Sequence, residues 1–350
     1  KTLPPSLFSL PRHSPASASS FDLLARLKDT ATLRVLRIIS LAAPFPTIPS
    51  FAHAMSHRRA VLLMILATFL WSIAGVVTRH LDAARGFEIT FWRSLFTAIT
   101  LTIVLSLLRG ASFWHGLLKS SWPVWASGFC WSLMYTAFML ALTMTTVANV
   151  LVTLSIGPLI SALFSRFFLG HHLPTRTWGA IALAGCGIGW MFGREALAGA
   201  SLLGSLVAMV VPLAAASNWT VLQSVTQRAK RSGTNAPDML PAIFIGAILS
   251  SLYTLPIAWP LQASVHDISL LAMLGIIQLA APSLLVVRVS RILAAPEISL
   301  LGLLEVLFGV TWAWLWAAEV PASGTVIGGI LVIGALLLNE LLGLAGNSKR

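Results

Sequence analysis

From residue 60 onward, the chain alternates between long apolar runs and short polar breaks. Ten runs, near 60–78, 88–108, 122–142, 146–168, 176–192, 202–223, 239–260, 269–289, 296–317 and 325–344, approach the length a helix needs to cross a bilayer. That length is roughly 20 residues for about 30 Å of hydrocarbon. Runs such as Leu95 to Leu108 are apolar on every side, whereas a membrane barrel shows short segments of strict alternation. The pattern predicts an all-α integral membrane protein of ten transmembrane helices. Pro158, Pro212, Pro256 and Pro282 fall inside these runs. Each removes a backbone donor and predicts a kink that a neighbouring helix or a cavity must absorb.

Composition agrees with the pattern. Only 10% of the 350 residues are charged and the mean hydropathy is +0.86, against about one-quarter charged in soluble domains. Cys130 and Cys186 both lie within apolar runs and read as small packing residues. The first 54 residues differ. They hold a serine-alanine patch at Ser14 to Ser20, several prolines and six of the 23 basic residues. Residues 21–41 suit a surface amphipathic helix or a poorly ordered tail. Met55, followed by Ser-His-Arg-Arg, reads as the natural beginning of the membrane domain.

The net charge of +12 is dispersed in short clusters between runs rather than gathered in a stripe, so nucleic acid is not an expected partner. The clusters instead orient the helices. With the domain starting inside, Arg58, Arg59, Arg109, Lys119, Arg166, Arg176, Arg228, Lys230, Arg231, Arg288, Arg291, Lys349 and Arg350 fall on the inner side. Arg79, Arg85 and Arg194 fall on the other, thirteen against three. The positive-inside bias then places both ends of the membrane domain in the cytoplasm.

An internal repeat refines the architecture. Residues 67–80 align with 215–228 at an offset of 148, matching Trp71 to Trp219, Ser72 to Thr220 and Val77-Thr78 to Val225-Thr226. Gly128 meets Gly275 and Pro174 meets Pro321 at an offset of 147. Five spans separate the copies, and an odd number inverts the second. The expected organisation is an N-terminal extension over 1–54 and two inverted five-helix repeats over 55–200 and 201–350. Two such halves around a central site are how many secondary transporters alternate access.

Several phrases now carry a resemblance. FLWSIAGVVTRH at 69–80, FWRSL at 91–95, NVLVTLSIGPLISALFSRFFLG at 149–170 and APEISLLGLLEVLFGVTWAWLWAAEVP at 295–321 stand in an order and spacing that resemble the drug/metabolite transporter superfamily, specifically its EamA-type members. The resemblance covers roughly residues 60–345. It implies that the first four helices of each half surround the substrate path, with spans five and ten serving packing or dimerisation. It also implies export, residence in the bacterial inner membrane and no cofactor. The chain departs from the family at Leu169-Gly170-His171-His172, where members often carry a glutamate after Leu-Gly. The second half keeps Glu319 at the matching position.

Candidate working residues are polar groups in apolar runs. Glu305, midway through span nine, must face a cavity, pair with another group or be protonated, because an ionised carboxylate facing lipid is heavily penalised. Arg93 is the unusual charge in span two and the natural counterpart of Glu305. It can attract an anionic substrate group, neutralise Glu305, or snorkel to the interface. Asn149, Asn218 and Gln278 offer donor and acceptor to a substrate or hold helices together. Trp71, Trp219, Trp131 and Tyr135 can line the path, whereas Trp312, Trp314 and Trp316 fit an interfacial belt. Glu297 reads as a helix cap or a partner of Arg288 or Arg291, and His171 with His172 as headgroup-level histidines.

The expected function is secondary active transport of a small metabolite or amphipathic organic compound by alternating access, with protons as a candidate coupling ion. Membrane lipids and a second copy of the chain are the other expected partners. The sequence lacks a phosphate-binding loop or a catalytic spacing, so it does not read as an enzyme. A non-transporting receptor or assembly protein is the alternative.

Overall fold

The computed structural model describes residues 56–350 except 171–173, 198–201, 235–237, 290–291, 294–297, 299–300 and 348–350. Every element among the described residues is helical. The first run forms α1 (His57–Ser72) and α2 (Ala74–Thr78), interrupted at Ile73. It is followed by α3 (Phe87–Arg109), α4 (Ala111–Leu117) and α5 (Trp122–Met144). The fourth run is also broken, into α6 (Val147–Leu154) and α7 (Gly157–Leu169), with Pro158 opening the second piece where its missing donor is not needed. Then come α8 (Thr175–Leu197), α9 (Leu203–Ser232) and α10 (Leu240–Ala258). α11 (Val265–Met273) runs through a π-helical turn at Leu274–Ala280 into α12 (Ala281–Val289), and α13 (Leu304–Trp316) and α14 (Ser323–Asn347) follow.

Seven of these paths are long and apolar enough to cross a membrane: His57–Thr78, Phe87–Arg109, Trp122–Met144, Val147–Leu169, Leu203–Ala229, Leu240–Ala258 and Val265–Val289. Helices also stand at the other three expected positions, as α8, α13 and α14. α8 falls short because Arg176, Arg194, Trp178 and a series of glycines dilute its aliphatic residues. α13 falls short in length among the described residues. The expected helix or tail over 1–54, with Glu297, His171 and His172, lies outside the described residues.

The ends follow local chemistry. Thr146 caps α6 by accepting from the Asn149 amide at 3.2 Å, and Gly170 closes α7 at φ 68°, a left-handed conformation that needs no Cβ. At α11, Ser264 and Asp267 form a capping box. Asp267 then does more than cap its own helix. Its side chain is fully buried and accepts from the amides of Asp82, Ala83 and Ala84 at 2.7, 2.9 and 2.8 Å, and from Ser264 at 3.3 Å. Glu88, in the first turn of α3, returns the contact by accepting from Gln262 and Ala263, both at 2.8 Å. The two carboxylates thus gather the turns before α3 and α11 at one end of the bundle, which we call the Arg79 end.

Packing between helices is close where small residues permit. A Cβ on Gly128 would lie 2.5 Å from Ile245, which presses α5 onto α10, and one on Gly187 would lie 2.9 Å from the Gly328 carbonyl, which joins α8 to α14. A buried cluster of Leu81, Ile89, Phe138, Leu142, Val147, Leu151, Leu271, Leu274 and Val306 fills the region toward the Arg79 end. The large exposed apolar residues, such as Leu107, Phe167 and Ile330, suit contact with lipid tails.

Candidate functional site

Arg93 is held from both sides. On its own helix, the Thr97 hydroxyl donates to the Arg93 carbonyl at 2.8 Å and to the Gly275 carbonyl at 3.1 Å. Gly275 has no side chain to hold α3 off: a Cβ there would lie 2.7 Å from that same Arg93 carbonyl. The Arg93 side chain is only 1% exposed. Its Nη2 donates to the Tyr135 carbonyl at 2.7 Å and its Nη1 to Gln278 Oε1 at 3.3 Å, while Nε has no partner. The Tyr135 and Phe138 rings lie 6.0 Å from the guanidinium carbon, at the outer reach of a cation–π contact. These partners are neutral. No carboxylate among the described residues pairs with this buried cation.

Gln278 reaches Arg93 because of the π-turn. Pro282 cannot donate to the Gln278 carbonyl four residues earlier, and the chain widens by one residue there. Gln278 Nε2 donates to the Trp71 carbonyl at 3.1 Å, next to the interruption at Ile73. The amide therefore links the break in the first span to the cation in the second. Glu305 sits in the first turn of α13, and its carboxylate has no hydrogen-bond or ion-pair partner among the described residues.

These groups share one cavity of about 220 Å³. Trp71, Arg93, Trp131, Tyr135, Trp219, Gln278 and Glu305 all line it, together with Phe138, Pro158 and Pro212. Trp131 meets Tyr135 at 5.5 Å and Trp219 edge-on at 6.5 Å between ring centroids. The result is an apolar, aromatic chamber with one fixed cation and one unpartnered carboxylate on its wall. Arg93 does not snorkel, and no ion pair joins it to Glu305. The neighbours that anchor it are instead a backbone carbonyl and an amide oxygen.

Two expected path residues lie elsewhere. Asn218 accepts from the Ser127 hydroxyl at 2.6 Å and fastens α9 to α5. Asn149 donates to Thr145 Oγ1 at 3.2 Å, accepts from Thr325 and lines a second pocket of about 750 Å³ at the Arg79 end. Of the expected interfacial tryptophans, Trp314 and Trp316 are exposed, but Trp312 turns inward and donates to Ser72 Oγ at 3.0 Å. A buried network escaped sequence reasoning altogether. Ser250 bonds to both Ser94 and Thr136 at 2.9 Å, Thr136 bonds Tyr253, and Tyr253 donates to the Ser132 carbonyl. Hydroxyls scattered in apolar runs carry no spacing that would have revealed it. The roles of Glu88, Asp267 and Arg79 were likewise unanticipated.

Residues 58–193 match the EamA-like transporter family. The chain is 23% identical over 288 residues to the pseudopaline exporter CntI of Pseudomonas aeruginosa, covering 80% of this chain and 95% of that protein. It is 28% identical over 141 residues to an uncharacterised transporter of Vibrio cholerae, covering 38% of this chain and 45% of that one. A solved crystal structure, 22% identical, shares the fold with a TM-score of 0.54 over 82% of this chain and 99% of its own. Residues 58–193 thus carry a similarity to the EamA-like transporter family, and with its apolar helices and its exporter relative the chain reads as a multi-pass membrane transport protein.

Proposed function

We propose that the protein is a secondary active transporter that exports a small metabolite or amphipathic organic compound by alternating access, with the Arg93–Glu305 chamber as its central site. One observation carries this reading: a buried guanidinium and an unpartnered carboxylate line the same aromatic cavity without pairing with each other. A lone ionisable group in a bilayer is costly and is kept for function. Two of opposite sign, held apart by neutral anchors, leave room for a ligand to engage either. Arg93 would hold an anionic or electron-rich group, Glu305 would exchange between a proton and the substrate, and Trp71, Trp131, Trp219 and Tyr135 would receive its apolar part. Gln278 would couple occupancy to the break in the first span.

The architecture suited to this cycle is ten spans in two inverted halves, 55–200 and 201–350, behind an extension over 1–54. The coincidence of a helix with each of the ten expected positions supports it. The distribution of Arg and Lys supports cytoplasmic ends and an external Arg79 end in the bacterial inner membrane. Export follows the direction named for the Pseudomonas aeruginosa relative. The close α8–α14 pair would support packing or a homodimer in the lipid.

Flux in proteoliposomes under an imposed pH gradient tests the proposal, with a metabolite panel and wild type beside Glu305→Gln. Saturable, gradient-dependent flux that loses its pH dependence in the variant is expected. A folded Glu305→Gln protein with wild-type flux and pH dependence would remove Glu305 from coupling. Saturable binding without flux would favour a receptor.

A further inference from the structure

We infer that Arg79 and Glu319 form a gate over the central cavity, parting and rejoining in each transport cycle, while Asp267 and Glu88 remain seated as its hinge. The inference rests on the transport reading above. Its basis is the contrast among three carboxylates that cross the Arg79 end.

Asp267 and Glu88 are 0% and 4% exposed, and each is satisfied by backbone amides from a segment more than 170 residues away. Pulling either out would strand buried N–H groups with nothing to replace the carboxylate. Glu319 is different. Its Oε2 accepts from Arg79 Nε at 3.1 Å and its Oε1 from the Val147 amide at 2.7 Å. Arg79 uses its other nitrogens on the end of α5, with Nη1 donating to Leu142 O at 2.6 Å and Nη2 to Thr145 O at 2.8 Å. The pair therefore clasps the end of α2, the α5–α6 turn and the segment leading into α14. Yet its side chains are 28% and 15% exposed, and both line the pocket of about 750 Å³ beside Thr145, Asn149 and Ser323. When the clasp parts, the charges meet water and nearby hydroxyls rather than hydrocarbon. A partly exposed ion pair beside a wet pocket is weak enough for thermal opening.

The position of the clasp gives that opening a consequence. Directly beneath it, Val147 packs so tightly on Gly75 that a Cβ there would lie 2.6 Å away. Leu151, one turn on, lines the central cavity and presses against Gly309 of α13. Val147 to Leu151 thus plugs the route from cavity to outer pocket, and the plug cannot move from α2 and α13 while Glu319 holds the Val147 amide. The adjoining Ala318 sits at φ 51°, a left-handed conformation disfavoured for a residue with a Cβ.

The test reads accessibility rather than flux. In protein with Cys130 and Cys186 replaced by alanine, Ala215→Cys places a reporter thiol on the cavity wall. A membrane-impermeant maleimide is added from the Arg79 face of proteoliposomes sorted by orientation. Glu319→Gln should raise the labelling rate by about fivefold, the population shift equivalent to about 1 kcal/mol. Arg79→Cys with Glu319→Cys, joined by a short bifunctional thiosulfonate, should suppress labelling until reduced. Unchanged labelling in Glu319→Gln, or in the joined protein if that variant does not fold, overturns the gate. Labelling that responds while no compound in the panel moves leaves the gate standing and counts against transport.

Discussion

Replacing Asp267 with asparagine should destabilise the protein more than any other single loss of charge at the Arg79 end. The carboxylate is fully buried and accepts from four backbone amides, with one oxygen serving Asp82 and the other serving Ala83, Ala84 and Ser264. An asparagine offers one acceptor. Turned to serve the three amides, it presents its own NH₂ to the Asp82 N–H, stranding a buried donor at about 1–3 kcal/mol. The three surviving bonds drop from charge-assisted to neutral, a loss of about 1 kcal/mol each before relaxation. Entry of water and small backbone shifts return part of that, so the net is on the order of 3–5 kcal/mol. At about 2–4 °C per kcal/mol, the apparent Tm should fall by roughly 10 °C. The 13 tryptophans make intrinsic fluorescence of the detergent-solubilised protein a direct readout. Glu319→Gln is the internal comparison, since its partly exposed pair should shift Tm by no more than about 3 °C. The reasoning fails if Asp267→Asn melts within about 2 °C of wild type, or no earlier than Glu319→Gln.

Two further outcomes separate site from scaffold. Gly275→Val should displace α3 at the Arg93 carbonyl, because even a Cβ would lie 2.7 Å from it and from Phe96. Overpacking of about 1–3 kcal/mol and a loss of flux are expected together, and retained flux at wild-type Tm would contradict the placement. Asn218→Leu should leave flux unchanged and stability within about 1 kcal/mol, because the amide already carries one unpartnered donor, Nδ2. A selective loss of flux in a stable Asn218→Leu protein would return that residue to the path.

The parts legible in the sequence are those that depend on solvent rather than on partners. The length of an apolar run is a statement about the bilayer, and seven of the ten expected runs form helices long and apolar enough to cross it among the described residues. Pro158 and Pro282 signalled a departure near Ser155–Ile156 and near Gln278, but the break at Ile73 was not legible. Such a break depends on which carbonyl a distant side chain donates to, and Gln278 finds Trp71 across 207 positions. The same distinction divides the candidate residues. Arg93 and Glu305 had to find a cavity or a counterion, since no single neutral neighbour offsets a charge in hydrocarbon. Asn149 and Asn218 gave the same signal, a polar residue in an apolar run. An amide, however, can find a hydroxyl partner on a neighbouring helix, as Asn149 does in Thr325 and Asn218 in Ser127, and so join helices. Gln278 is the exception because its two ends are claimed by Arg93 and Trp71 rather than by one neighbour.

The acids at the Arg79 end extend this logic to motion. A helix start offers several amides at fixed spacing, so a carboxylate seated there is bound by groups that cannot follow it elsewhere. Asp267 and Glu88 occupy such seats reciprocally, each at the entrance to the other's helix. The arrangement fixes the two turns against each other. Glu319 takes one such amide, from Val147, and one guanidinium on a long flexible side chain. A protein that must close firmly and open often needs both kinds of contact at the same end: the backbone seat to preserve registration, and the side-chain pair to let go. Arg93 occupies neither role. Its neutral anchors hold the cation in place without cancelling it, and that leaves its charge available to whatever enters the cavity.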